Sequence, residues 1–114
     1  MPYLKIQINR GIEPEKSKAL LASASQKIAN ELGKPERYVM VELTANPAML
    51  FGGTDEPAAY VELKSIGLPA GQIKALSKVL SSLLEDSVGI APSRIYIEFT
   101  DVKGSCWGWN GSTF

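Results

Sequence analysis

An α+β fold, with two helices on one face of a four-stranded mixed sheet, follows from three features of this 114-residue sequence. Stretches of period-two alternation are interleaved with helical periodicity. The order strand, helix, strand occurs twice, which points to paired βαβ units. The second half also echoes the first. Offset by half the chain, Tyr3-Leu4 meets Tyr60-Val61, and Pro35-Glu36-Arg37 meets Pro92-Ser93-Arg94 at the entrance to each second strand. The chain reads as a duplication within a single domain spanning 1–114, with halves at about 2–46 and 58–102.

Residues 3–8 (YLKIQI) alternate, with Leu4, Ile6 and Ile8 on one face and Tyr3, Lys5 and Gln7 on the other. Pro14 suits a helix's first turn, and Leu21, Ala24, Ile28 and Leu32 follow at helical spacing until Gly33 stops it. A strand over 38–45 (YVMVELTA) turns Val39, Val41 and Leu43 to one face, and NPAMLFGGTDEP then breaks the pattern. The second half predicts a strand over 58–66. A helix marked by Ile73, Leu76, Leu80, Leu83 and Ser87 follows, stopped by Gly89, and then a final strand IYIEFTDV.

The helices' apolar stripes cover the Leu, Ile, Val and Phe face of such a sheet. The other face mixes Tyr3, Tyr38, Met40, Tyr60 and Tyr96 with Lys5, Glu42, Glu62, Lys64 and Glu98. That is too aromatic for plain solvent and too charged for a dry core, which predicts an oligomer partly enclosing it. The alternative is a monomer with one wet sheet face, as antiparallel sheets often have.

Composition excludes several function classes. Lys plus Arg and Asp plus Glu are 12 each, so no basic stripe favours nucleic acid. One cysteine and no histidine leave neither an internal disulfide nor a zinc ligand set. No segment approaches the roughly 18 apolar residues of a membrane span, and the first residues lack a signal-peptide core. A soluble, cytoplasmic protein is expected.

Without histidine, Ser-His and Cys-His pairs cannot be built. Cys106 has neither a base nor a CxxC partner and reads as an inert thiol. The remaining group that titrates near neutrality is the α-amine, ordinarily at about 7.7–8.0 and lower where its charged form is desolvated. Methionine before proline is normally excised, which leaves Pro2 as a secondary amine at the start of a strand. From position alone, Pro2 equally fits a strand's first residue, where a missing N–H costs little.

MPYLKI at the start, GKP (33–35), FGG (51–53), SIG (65–67), RIYIEF (94–99) and GWNGSTF (108–114) stand in the order and spacing of one known family. Over essentially its whole length the chain resembles the macrophage migration inhibitory factor family of the tautomerase superfamily. The resemblance implies a homotrimer of duplicated βαβ subunits with active sites between them. It also implies keto-enol tautomerisation of arylpyruvates such as phenylpyruvate, without a cofactor, with Pro2 as general base. Lys34 and the Ile66 backbone would hold the substrate's polar end, with Ser65 beside them. Tyr38, Tyr96, Trp109 and Phe114 would wall the ring pocket, Tyr96 reaching in from a neighbouring subunit. The paired glycines Gly52 and Gly53 read as turn residues, since they lack the strand-to-helix context of a phosphate loop.

Three departures from the family pattern bear on function. Glu98 stands at a pocket position where animal members tend to carry an amide, and a carboxylate there favours the protonated amine. Trp107 replaces a smaller apolar residue and narrows or shifts the pocket mouth. The family's CxxC segment falls at Ala58-Ala59-Tyr60-Val61, so thiol-disulfide activity is not expected. With Met1 retained, the Pro2 nitrogen is an amide and not basic. Two other readings remain: a cytokine-like binding protein of the same fold, and a hydratase or dehalogenase of small unsaturated acids. The latter needs a second cationic anchor besides Lys34; Arg37 lies in the right stretch but reads as a strand-end residue or a partner of Glu36 or Glu42.

Overall fold

The computed structural model describes residues 1–114. Its central sheet has strands β1 (Tyr3–Ile8), β2 (Met40–Ala45), β3 (Ala59–Ile66) and β4 (Ile95–Val102) in the order β2-β1-β3-β4. Strands β1 and β2 pair in parallel around helix α1 (Pro14–Leu32), and β3 and β4 around helix α2 (Ile73–Val88). The two units join through the antiparallel β1–β3 pair. This is the duplicated mixed sheet expected.

The core lies between the sheet and the helices. Leu4, Ile6 and Ile8 of β1 and Val61 and Leu63 of β3 meet Leu20, Ala24 and Ile28 of α1 and Leu76, Leu80 and Leu84 of α2, all buried. Period-two alternation on one side and period 3.6 on the other bring these residues into one layer. Two stripe assignments shift. Leu20, not Leu21, is the fully buried position of α1's second turn, and Leu84 completes the stripe of α2 while Ser87 is exposed. Both helices end on a left-handed glycine. At Gly33 (φ 63°) the N–H groups of Gly33 and Lys34 reach back to the carbonyls of Asn30 and Ala29, which fixes where Lys34 leaves the helix.

Strand β3 starts one residue later than the expected 58, at Ala59, and two larger differences shape the site. Strand β2 begins at Met40, because Glu36–Tyr38 close a 3-10 turn in which the Tyr38 N–H bonds to the Pro35 carbonyl. Tyr38 therefore leaves the mixed sheet face on which alternation placed it. The last residues, which show no periodicity, form a small hairpin of β5 (Gly108–Trp109) and β6 (Ser112–Thr113) turned through Asn110 and Gly111, both at positive φ.

Across the uncovered face, Glu42, Lys5, Glu62 and Glu98 stand side by side on the four strands. The Tyr3 hydroxyl donates to Glu42, and the Tyr60 hydroxyl donates to Glu98 at 3.2 Å. The bond to Glu42, then burial and the neighbouring carboxylates, push the Tyr3 phenol up to about 12. The folded chain holds that proton more tightly than the unfolded one. The resulting stability is thus present below about pH 10 and lost as pH climbs towards 12. In a spectrophotometric titration, Tyr3→Phe is expected to remove the latest tyrosine step and Glu42→Gln to move it down. An unchanged curve in both variants would rule out the pairing.

Candidate active site

The site is built where the N-terminus enters the sheet. Pro2 is buried, and its carbonyl accepts the Met40 N–H at 3.0 Å, so the start of β1 is tied to the start of β2. The Met1 amine donates to the Tyr38 carbonyl at 2.9 Å. Its pKa is lowered from the ordinary 8.0, first by burial and second by the positive charge of Lys34. Both causes act on any cation at this place.

Lys34, released from the Gly33 cap, points its ammonium at the end of β3, where it donates to Ser65 Oγ at 2.9 Å and to the Ile66 carbonyl. Burial lowers its pKa, while the charge of Asp101 opposes that shift. Two of the three ammonium donors are thereby engaged and one remains. Asp101 is itself held by the Leu68 N–H at 3.0 Å.

The tail supplies the aromatic wall. Trp109 and Phe114 stack at 5.3 Å with an interplanar angle of 15°, and both stand edge-on to Tyr38, at 5.7 Å and 6.1 Å. The Phe114 N–H returns to the Trp107 carbonyl at 3.2 Å. Between this wall and the N-terminus runs a groove of about 1050 Å³ lined by Pro2, Tyr38, Trp107, Trp109 and Phe114. A mostly apolar groove containing an amine of lowered basicity beside a lysine can take up a proton and hold an anion.

Of the residues singled out from sequence, Pro2, Tyr38, Trp107, Trp109 and Phe114 share this groove, and Lys34, Ser65 and Ile66 form a hydrogen-bonded cluster whose charge reaches the N-terminal amine. Tyr96 and Glu98 do not join them within one chain. They stand exposed on the edge strand β4, Tyr96 against the Phe51 ring at 4.6 Å and Glu98 accepting from Tyr60. The Ile66 carbonyl accepts from Lys34, which leaves the donor side of the Ile66 backbone as the part that could meet a substrate oxygen. Two lining residues that carry reactive or charged groups were given no role in the site. Cys106, read as inert, borders the groove. Arg37, read as a strand-end or ion-pair residue, also lines it, with its guanidinium 4.8 Å above the Tyr38 ring. The signal for Arg37 was its place in the turn that aims Tyr38.

A family model described as Macrophage migration inhibitory factor matches residues 1–114. The chain is similar to a macrophage migration inhibitory factor homolog of Brugia malayi, at 41% identity over 115 residues covering 100% of this chain and 99% of the relative. It is similar to the macrophage migration inhibitory factor of Mus musculus, at 38% over 117 residues with the same coverage. Among solved structures, the homologue from Prochlorococcus marinus superposes with a TM-score of 0.94 at 42% identity, covering 98% of each chain. The protein from Trichinella spiralis does so with a TM-score of 0.90 at 33% identity, covering 98% of this chain and 99% of that one.

Proposed function

The chain belongs to the macrophage migration inhibitory factor family, and from that premise we propose that it is a keto-enol tautomerase of arylpyruvates such as phenylpyruvate, with the Pro2 amine as general base once Met1 is removed. The observation that carries this is the start of the chain held in an aromatic groove, with Pro2 buried there and the Met1 amine, one residue away, lowered in basicity by burial and Lys34. A base must be neutral near pH 7 to take the proton from the carbon next to the carbonyl. As the proton leaves, charge builds on the carbonyl oxygen, and a preorganised donor must meet it. The remaining Lys34 donor can face the carboxylate or this oxygen, while Ser65 and Ile66 hold the ammonium in place. Tyr38, Trp109 and Phe114 wall the aryl ring, and Trp107 bounds it. No cofactor enters this scheme.

A homotrimer completes the proposal. Both edge strands, β2 and β4, are free in the chain alone, and Met40 on β2 and Tyr96 on β4 are each 65% exposed. Free edges carrying apolar side chains favour pairing with another copy. A neighbouring subunit would bring its Tyr96 and Glu98 towards the groove, and Glu98 there would hold the amine more basic than an amide would. Sedimentation is expected to give three times the chain mass.

The test of the activity is enol-to-keto conversion of phenylpyruvate by protein whose Met1 removal is verified by intact mass. Turnover above the buffer rate supports the tautomerase. A buffer rate overturns it and leaves a binding protein of the same fold.

A further inference from the structure

We propose that Arg37 makes the groove a site for doubly anionic aryl acids, one carboxylate facing Lys34 and the second facing the Arg37 guanidinium. This rests on the tautomerase reading for the location of the ligand, and its test reads binding rather than turnover.

The 3-10 turn Glu36–Tyr38 is fixed at both ends, by the Tyr38 N–H to Pro35 and the Val39 N–H to Glu36, so Arg37 sits on a rigid base at the groove. Its guanidinium lies 4.8 Å over the ring of Tyr38, the residue against which Trp109 and Phe114 stand edge-on. Stacking on a ring face holds the planar group and leaves its in-plane N–H edges for a partner. Such an edge matches a carboxylate with two parallel hydrogen bonds.

The alternative partners are otherwise engaged or of the wrong sign. Glu42, the carboxylate lining the groove, accepts from the Tyr3 hydroxyl, and Lys64, which also lines it, is a cation. Lys34 has one donor left after Ser65 and Ile66, enough for one carboxylate and not for two. A second negative charge on the ring side therefore meets Arg37, which is a specificity-determining residue.

The experiment is calorimetric titration of Met1-free protein at low ionic strength with phenylacetate and with its meta- and para-carboxylate derivatives. At least one diacid is expected to bind about fivefold tighter than phenylacetate, the upper range for an exposed charge pair. That preference should fade as added salt screens it. Arg37→Gln should bring the ratio to within about twofold, and Arg37→Lys should restore only part of it. Lys34→Gln, by contrast, should weaken both classes of acid. Thermal melting verifies that each variant is folded. Diacids binding no tighter than phenylacetate, a preference surviving Arg37→Gln, or no binding by any acid would overturn the proposal. Phenylpyruvate turnover decides the tautomerase separately.

Discussion

In Met1-free protein, Pro2→Gly is expected to slow phenylpyruvate ketonisation by about 10²-fold or more, within the range of about 10²–10⁴ that a positioned base contributes. Glycine keeps an amine but loses the ring that holds it, and the buried pocket around Pro2 is left partly empty. A form retaining Met1 is expected to be as slow. Its Pro2 nitrogen is an amide, and the Met1 amine that replaces it donates to the Tyr38 carbonyl. One residue of chain spans about 3.8 Å, well beyond the roughly 1 Å misplacement that can cost about 10² in rate. The pH profile adds a second check. Burial and Lys34 both disfavour a cation at this place, so the rate should rise with pH through an apparent pKa below the ordinary 8.0 and then level off. Lys34→Gln removes one of the two causes and should move that limb upward. Full activity in the Met1-retaining form, or a limb that Lys34→Gln leaves in place, would refute the assignment of the base.

What could be read from the sequence depended on whether one short-range pattern decided a residue's place. Strands β1 and β3 alternate cleanly because one face packs on helices and the other does not, and their registers follow. Leu20 and Leu21 are adjacent apolar residues, so periodicity alone does not choose between them. The sheet edge does: Leu20 enters the core while Leu21 lines the groove. Tyr38 alternates correctly with Met40, yet Pro35 begins a turn that removes it from the strand. That departure is what puts its ring against Trp109. The tail has no period because its hairpin strands have two residues each, too few to repeat. Resemblance pointed to Trp109 and Phe114 where periodicity could not. Tyr96 and Glu98 mark a different limit, since their proposed place depends on a second copy whose position no single chain's pattern encodes.

Arg94→Ala is expected to cost about 2–3 kcal/mol of stability, although Arg94 lies outside the core. Its guanidinium binds the loop between β2 and β3 at four carbonyls: Phe51 at 2.6 Å, Glu56 at 2.9 Å, Pro57 at 3.3 Å and Thr54 at 3.4 Å. Charged donors contribute about 1.5–3 kcal/mol each when isolated, but here water can reach some of the freed carbonyls, so the total falls well short of a sum. The same group lies 4.9 Å over the Phe51 ring, and Phe51 in turn packs on Tyr96. Asn9 and Arg10 also hold this loop: Asn9 bonds to Asp55, Glu56 and Ala58, and Arg10 to Asp55, so some order survives the substitution. Thermal melting at matched concentration should show a fall of about 10 °C. Arg94→Lys should recover less than half of it, because an ammonium cannot fork across four acceptors. A loss below about 0.5 kcal/mol, the size typical of an ordinary surface substitution, would mean that Asn9 and Arg10 suffice. With the loop loosened, Phe51 no longer braces Tyr96. If Tyr96 walls a neighbour's groove, the KM for phenylpyruvate should then rise more than kcat falls, which a purely local loss of stability does not produce.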